Sequence, residues 1–105
     1  MLVPELDDVT YDLEVDGELV RRTLQRRVWE RRGWATVALV YEERDPAGGW
    51  KPAKLALIRL QRARGAWKKH AAISLPGAEA IELCDALAGW RDALGGAGNG
   101  AADDE

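Results

Sequence analysis

Gly33-Trp34-Ala35-Thr36-Val37-Ala38-Leu39-Val40-Tyr41, then Asp45-Pro46-Ala47-Gly48-Gly49, then Lys54-Leu55-Ala56-Leu57-Ile58-Arg59-Leu60 carries most of what this chain says about its architecture. Gly33 breaks the pattern before it, and Trp34 to Tyr41 is β-branched and aromatic enough to predict a strand. The Asp-Pro-Ala-Gly-Gly run forces a turn. The second apolar run therefore reads as the strand that returns. Arg64-Gly65 marks the next turn, and Trp67 to Leu75 reads as a further strand, basic at its start in Lys68-Lys69-His70 and apolar at its end in Ile73 and Leu75.

Towards the N-terminus, Tyr11, Leu13 and Val15 alternate with Asp12, Glu14 and Asp16, and Asp16-Gly17 is a hairpin turn signal, so a short acidic strand is predicted. In the segment from Glu18 to Arg32, Val20, Leu24 and Val28 fit both a strand face and an i, i+4 helix stripe. The Asp16-Gly17 turn wants a strand on both sides and tips the reading to strand.

Towards the C-terminus, Pro76-Gly77 ends the sheet. Ala80, Leu83, Cys84, Leu87, Trp90 and Leu94 recur at helical spacing, with Glu79, Glu82, Asp85 and Asp92 on a narrower polar stripe. Pro76 suits the start of this helix and Gly95-Gly96 its end. The apolar stripe also takes in Ile81, Ala86 and Ala88, more than one small sheet can cover, which predicts a twin chain packed against it. The expected fold is α+β: a curved antiparallel sheet of about four strands followed by one C-terminal amphipathic helix, dimeric through Ile81, Cys84, Leu87 and Trp90. Residues 1–17 form an acidic N-terminal segment, 18–94 the domain, and 95–105 a tail of glycine, alanine and acid that reads as disordered.

At 105 residues, 47 % hydrophobic and 31 % charged, the chain has room for one domain and is too apolar for wholesale disorder. No stretch approaches the ~18 apolar residues of a bilayer span, and Met1 to Glu5 lacks the regions of a secretory signal, so a cytoplasmic protein with no membrane partner is expected. Cys84 is the only cysteine, which excludes an internal disulfide and a cysteine-rich zinc site. His70 is the only histidine, Ser74 the only serine and Asn99 the only asparagine. Ser74 and His70 lie four residues apart with no Gly-rich nucleophile turn, and zinc-hydrolase, Walker and dinucleotide motifs are absent. The expectation is a protein that binds without chemistry, with no cofactor, metal or small-molecule substrate.

The formal net charge of −3 hides a segregation into blocks: residues 1–20 carry −7, residues 21–70 carry +10, and residues 71–105 carry −6. Charge asymmetry within a chain governs its local electrostatic footprint. A single strand presents a line of phosphates and flexible bases, so its binder needs a cationic groove with flat side chains for stacking. The central block has both. Arg21, Arg22, Arg26, Arg27, Arg31 and Arg32 interleave with Trp29 and Trp34; Arg59, Arg62, Arg64, Lys68 and Lys69 lie near Trp67 and Trp50. The expected contacts to single-stranded nucleic acid are Arg26, Arg31, Arg32, Trp34, Arg59, Arg62, Trp67, Lys68, Lys69 and His70. Trp29 and Trp90 are assigned to the core, and the acidic ends are expected to compete weakly with the ligand. The alternative is a protein-interaction module whose basic sheet face docks an acidic partner.

Gly33-Trp34 before a strand, Ile58-Arg59 in the next, and Lys68-Lys69-His70-Ala71-Ala72-Ile73-Ser74-Leu75 running into a helix with Glu79 and Leu83 in its first turns resemble the single-stranded-DNA-binding domain of the transcriptional positive cofactor four family and its bacterial relatives. The resemblance spans residues 20–92. It implies a homodimer that binds single-stranded DNA or RNA and serves transcription, replication or repair. That family has Lys-Gly before Ile-Ser/Thr-Leu where this chain has Ala71-Ala72, with its bases displaced to Lys68 and Lys69. It also has a stacking aromatic shortly after Ile-Arg, where this chain has Gln61 and Arg62. Trp67, Trp34 or the Arg62 guanidinium would have to take that part.

Overall fold

Asp16-Gly17, Arg32-Gly33 and Arg64-Gly65 each hold two successive residues at positive φ (53° and 80°, 52° and 82°, 54° and 79°), the two-residue hairpin turn whose twist matches that of the strands it joins. In the computed structural model, which describes residues 2–95, these turns connect β2 (Leu13–Val15) to β3 (Glu18–Arg31), β3 to β4 (Trp34–Glu43), and β5 (Lys54–Ala63) to β6 (Ala66–Pro76). Between β4 and β5 the Asp45-Pro46 turn forms as the sequence predicts: Gly48 N–H donates to the Asp45 carbonyl at 2.8 Å, and Ala47 N–H to its carboxylate at 2.9 Å.

With β1 (Leu2–Val3), the strands make one curled antiparallel sheet in the order β1-β6-β5-β4-β3-β2. Among the described residues the strands number six and not the expected four or so, because two short strands pair at the edges of the four long ones. β1 lies beside β6 and β2 beside β3, so residues 4–12 must cross the whole sheet between them. That crossing is the roof of the core. Ala35, Val37, Leu39 and Tyr41 of β4, Ala56, Ile58 and Leu60 of β5 and Trp67 of β6 are buried beneath it together with Val9 of the crossing itself, and Val3, Leu6, Tyr11 and Val28 pack around them. Burial of each large side chain of this set stabilises the fold by roughly 1.5–3 kcal/mol.

The crossing is held by side chains of β3. Arg26 donates to the carbonyls of Val9, at 3.1 Å, and of Leu6. Arg21 donates to the Tyr11 carbonyl at 2.8 Å, Thr23 Oγ1 accepts from Tyr11 N–H at 2.9 Å, and Asp12 accepts from Thr23 N–H at 2.7 Å. The Tyr11 ring meets Tyr41 edge-on at 4.7 Å. The acidic N-terminal segment is therefore part of the fold.

Residues 18–31 are strand, and a bulge explains why their spacing also suited a helix. The pairing of β3 with β4 shifts between Thr23 and Gln25, leaving Leu24 as the extra residue. Parity changes there, so Thr23, Arg26 and Val28 share the core face although their numbers do not alternate.

Pro76 ends the sheet and α1 (Gly77–Gly89) begins at the next residue. The close approach needs glycine: a Cβ at Gly77 would lie 2.7 Å from the Ala53 carbonyl oxygen. The single helix expected to run to Leu94 is instead two, α1 and α2 (Arg91–Gly95), interrupted at Trp90, whose N–H is shared between the Ala86 and Leu87 carbonyls at 3.1 Å each. Gly89, a poor helix former, precedes the break. No residue of either helix is buried, and Trp90 is 56 % exposed, which corrects its assignment to the core. The Cα trace measures 50 × 37 × 17 Å, a slab with one face roofed by the crossing and the other flanked by α1 at Val40 and Leu55. No helix among the described residues is long and apolar enough to cross a membrane. The tail read as disordered lies, beyond Gly95, outside the described residues.

Candidate nucleic-acid interface

Pleating sends successive side chains to opposite faces of a strand, and directly paired residues of neighbouring strands share a face. Ile58 and Leu60 are buried under the roof, so Arg59 and Gln61 belong to the opposite, outer face. Pairing extends that assignment across the sheet. Arg31, Trp34, Gln61 and Lys68 form one row over β3, β4, β5 and β6; Trp29, Thr36, Arg59 and Ala71 form the next; Arg27, Ala38, Leu57 and Ile73 the third. The register of β5 and β6 shifts at Arg59/Leu60, which leaves His70 as the bulged residue and turns its ring against Trp34.

Aromatic rings and cations alternate on this face. The Arg59 guanidinium lies 4.9 Å from the Trp34 ring centroid and donates to Thr36 Oγ1 at 2.8 Å. The His70 ring meets Trp34 edge-on at 5.1 Å and 70°. Arg27 lies 5.3 Å from the Trp29 ring, itself 51 % exposed. Such cation–ring contacts contribute about 0.5–1 kcal/mol each at exposed sites, enough to orient a guanidinium. At the same end of the sheet, Arg32 and Arg64 occupy the first positions of the two hairpin turns, and Arg62 N–H of β5 donates to the Gly33 carbonyl at 2.8 Å, tying the β3–β4 turn to β5. The arrangement can present fixed positive charge beside flat apolar rings.

Of the ten residues expected to contact nucleic acid, Arg31, Trp34, Arg59, Lys68 and His70 come together on the outer face, and Arg32 lies at its rim. The other four belong to the roofed side. Trp67 is 4 % exposed, a core residue and not a stacking platform, because its partner Arg62 shares the face of Ile58 and Leu60. Arg62 lies over the Trp67 ring at 5.5 Å, and Lys69 pairs with Leu60 beside the crossing segment. Arg26 is bound to the roof. It lines, with Arg62, Glu5, Asp7 and Glu30, a cleft of about 450 Å3 in which bases and acids alternate. Trp50 is also occupied: Arg22 and Arg44 lie 4.2 and 4.9 Å from its ring, and Arg22 is paired with Glu42 at 2.5 Å.

Arg27 and Trp29 were missed. Trp29, which the sequence places in the core, alternates with Val28, which packs against the core, and so faces outward with Arg27 and Arg31. The signal was the period-two run Arg27-Trp29-Arg31, legible only once β3 is known to be a strand. Comparison with models of known protein families, with curated proteins and with solved structures finds no match to this chain.

Proposed function

We propose that the protein binds single-stranded nucleic acid on the outer face of its sheet, as a homodimer and without catalysing a reaction. The observation that carries this reading is the row structure of that face: exposed Trp29, and Trp34 flanked by Arg59 and His70, among Arg27, Arg31 and Lys68. Bases stack on Trp29 and against the Trp34–Arg59 pair, and the surrounding cations take the phosphates. Stacking on an exposed ring requires a base whose face is free, which a duplex does not offer, so single strands are preferred. The likeness of Ile58-Arg59 and of Lys68 to Leu75 to the positive cofactor four family supports the same reading and adds a role as an accessory factor in transcription, replication or repair.

The test is fluorescence anisotropy of labelled single-stranded and duplex oligonucleotides over a salt series. Single strands should bind more tightly, with log K falling by about 0.7 per phosphate contact for each unit of log salt. Trp29→Ala and Trp34→Ala should each weaken binding while leaving the thermal melt in place. No binding of either nucleic acid at low salt would overturn the proposal and favour the other reading of this basic face, a dock for an acidic protein segment.

A further inference from the structure

The two long edges of the sheet are finished differently. Beyond β2, the exposed edge of β3 runs through Arg22, Arg26, Arg27, Glu30 and Arg31, and charged residues of this kind discourage another strand from pairing. β6 is covered by β1 only at Trp67 and Lys68. From Lys69 to Pro76 no described strand lies on its outer side, and Ala71-Ala72-Ile73-Ser74-Leu75 has neither a charge nor a proline. Ile73 is 54 % exposed there. Five residues of open, uncharged edge are a ready template for an added strand.

We propose that this edge is the seam of the homodimer, with β6 of one copy pairing antiparallel with β6 of a second across a two-fold axis at or beside Ile73. The proposal rests on the homodimer named above and replaces helix pairing as its geometry. Charge identifies the occupant. Lys68, Lys69 and His70 precede the neutral stretch, and Glu79 and Glu82 of α1 follow it. Antiparallel self-pairing sets the basic end of each β6 beside the acidic first turns of the other copy's α1; parallel pairing would set like against like. Pairing β6 of one copy with the β3 edge of another would build an open fibre, and there Lys68, Lys69 and His70 would meet a strand rich in arginine. The groove between α1 and the sheet, about 330 Å3 and lined by Val40, Leu55, Ala80, Ile81 and Cys84, adjoins the same end of β6. Ile81, 64 % exposed, therefore borders the seam, while Leu87 and Trp90 lie farther along the helices.

Sedimentation of the full chain at micromolar concentration tests this. The wild type should have the mass of two chains and Ala71→Lys/Ile73→Lys that of one, with its circular dichroism melt retained because both positions are exposed. Leu87→Asp should remain a dimer. In a Cys84→Ala background, Ile73→Cys should cross-link copies through a short bismaleimide. Diluting the wild type should expose alternate amides of residues 70–75 to hydrogen exchange, since only one side of the strand loses its partner. A dimer that survives the double lysine variant but dissociates on Leu87→Asp would overturn the seam in favour of helix pairing and leave the homodimer standing. A wild-type monomer would overturn the seam and the homodimer alike, and leave nucleic-acid binding to its own titration.

Discussion

On the roofed side of the sheet Arg21 and Arg26 donate to carbonyls of the crossing segment and Arg62 lies over Trp67, whereas on the outer side Arg27 and Arg59 lie over Trp29 and Trp34. The same two residue types serve opposite ends. Beneath the roof a cation neutralises backbone oxygen and nearby acid, and the tryptophan is buried; outside, cation and ring remain at the surface. Which role a residue takes follows from its parity along the strand and from two bulges, at Leu24 and His70, that reset that parity.

The sharpest separation of the faces comes from the core. Leu39 is 1 % exposed under the roof, and Leu39→Ala should lower the free energy of unfolding by roughly 2–5 kcal/mol, read by denaturant titration, through lost contacts and a residual cavity. Next in size is Arg26→Ala. It removes a charged donor from the Leu6 and Val9 carbonyls and should cost roughly 1.5–3 kcal/mol of stability, with faster hydrogen exchange over residues 4–12. Single-strand affinity should stay within about twofold, since on this comparison Arg26 belongs to the roof. A large loss of affinity in a folded Arg26→Ala protein would erase the distinction between the faces.

The outer face should respond in the opposite sense. Trp29→Ala should weaken single-strand binding by about 1–3 kcal/mol with little change in the melting temperature. Arg59→Ala and Arg62→Ala make the finer contrast, because the two arginines stand three positions apart on β5 and on opposite faces of it. Arg59→Ala should flatten the salt dependence of binding by about 0.7 in the log–log slope, and Arg62→Ala should leave the slope unchanged.

How much of this the sequence disclosed depends on whether a signal was local. The Asp16-Gly17 and Arg64-Gly65 turns, the strand from Trp34 to Tyr41 and the proline stop at Pro76 rest on conformational preferences of a few adjacent residues, and all are where they were expected. The roof was not legible, because Val3, Leu6 and Val9 recur every three residues among acids and match neither a strand nor a helix face. The tryptophans were not legible for a different reason. Trp67 and Trp29 occur in equally basic surroundings, and only the pairing of Trp67 with Arg62 on the face of Leu60, against that of Trp29 with Thr36 on the face of Arg59, assigns one to the core and the other to the surface. Half of the candidate site was thus visible as a charge block, and the pleat divided it.

The smallest effect expected is that of the acidic C-terminal end on the outer face. The roof already engages acids of the N-terminal segment, with Asp7 3.9 Å from Arg26 and Asp12 bonded to Thr23, so those charges are tied to the roofed side. Asp103, Asp104 and Glu105 follow α2 in the sequence and add three negative charges to a chain whose proposed ligand is a polyanion. Removing residues 96–105 leaves every strand and helix of the described residues in place, so affinity and the thermal melt can be compared on the same elements. The truncated protein should bind single strands more tightly at low salt, by at most about 1 kcal/mol, because exposed charges are well screened. The gain should vanish near ~0.3 M salt, where the Debye length falls to about 6 Å. Equal affinities of the truncated and full-length proteins at low salt would show that the three acids do not reach the outer face, and the balance of charge there would then belong to the sheet alone.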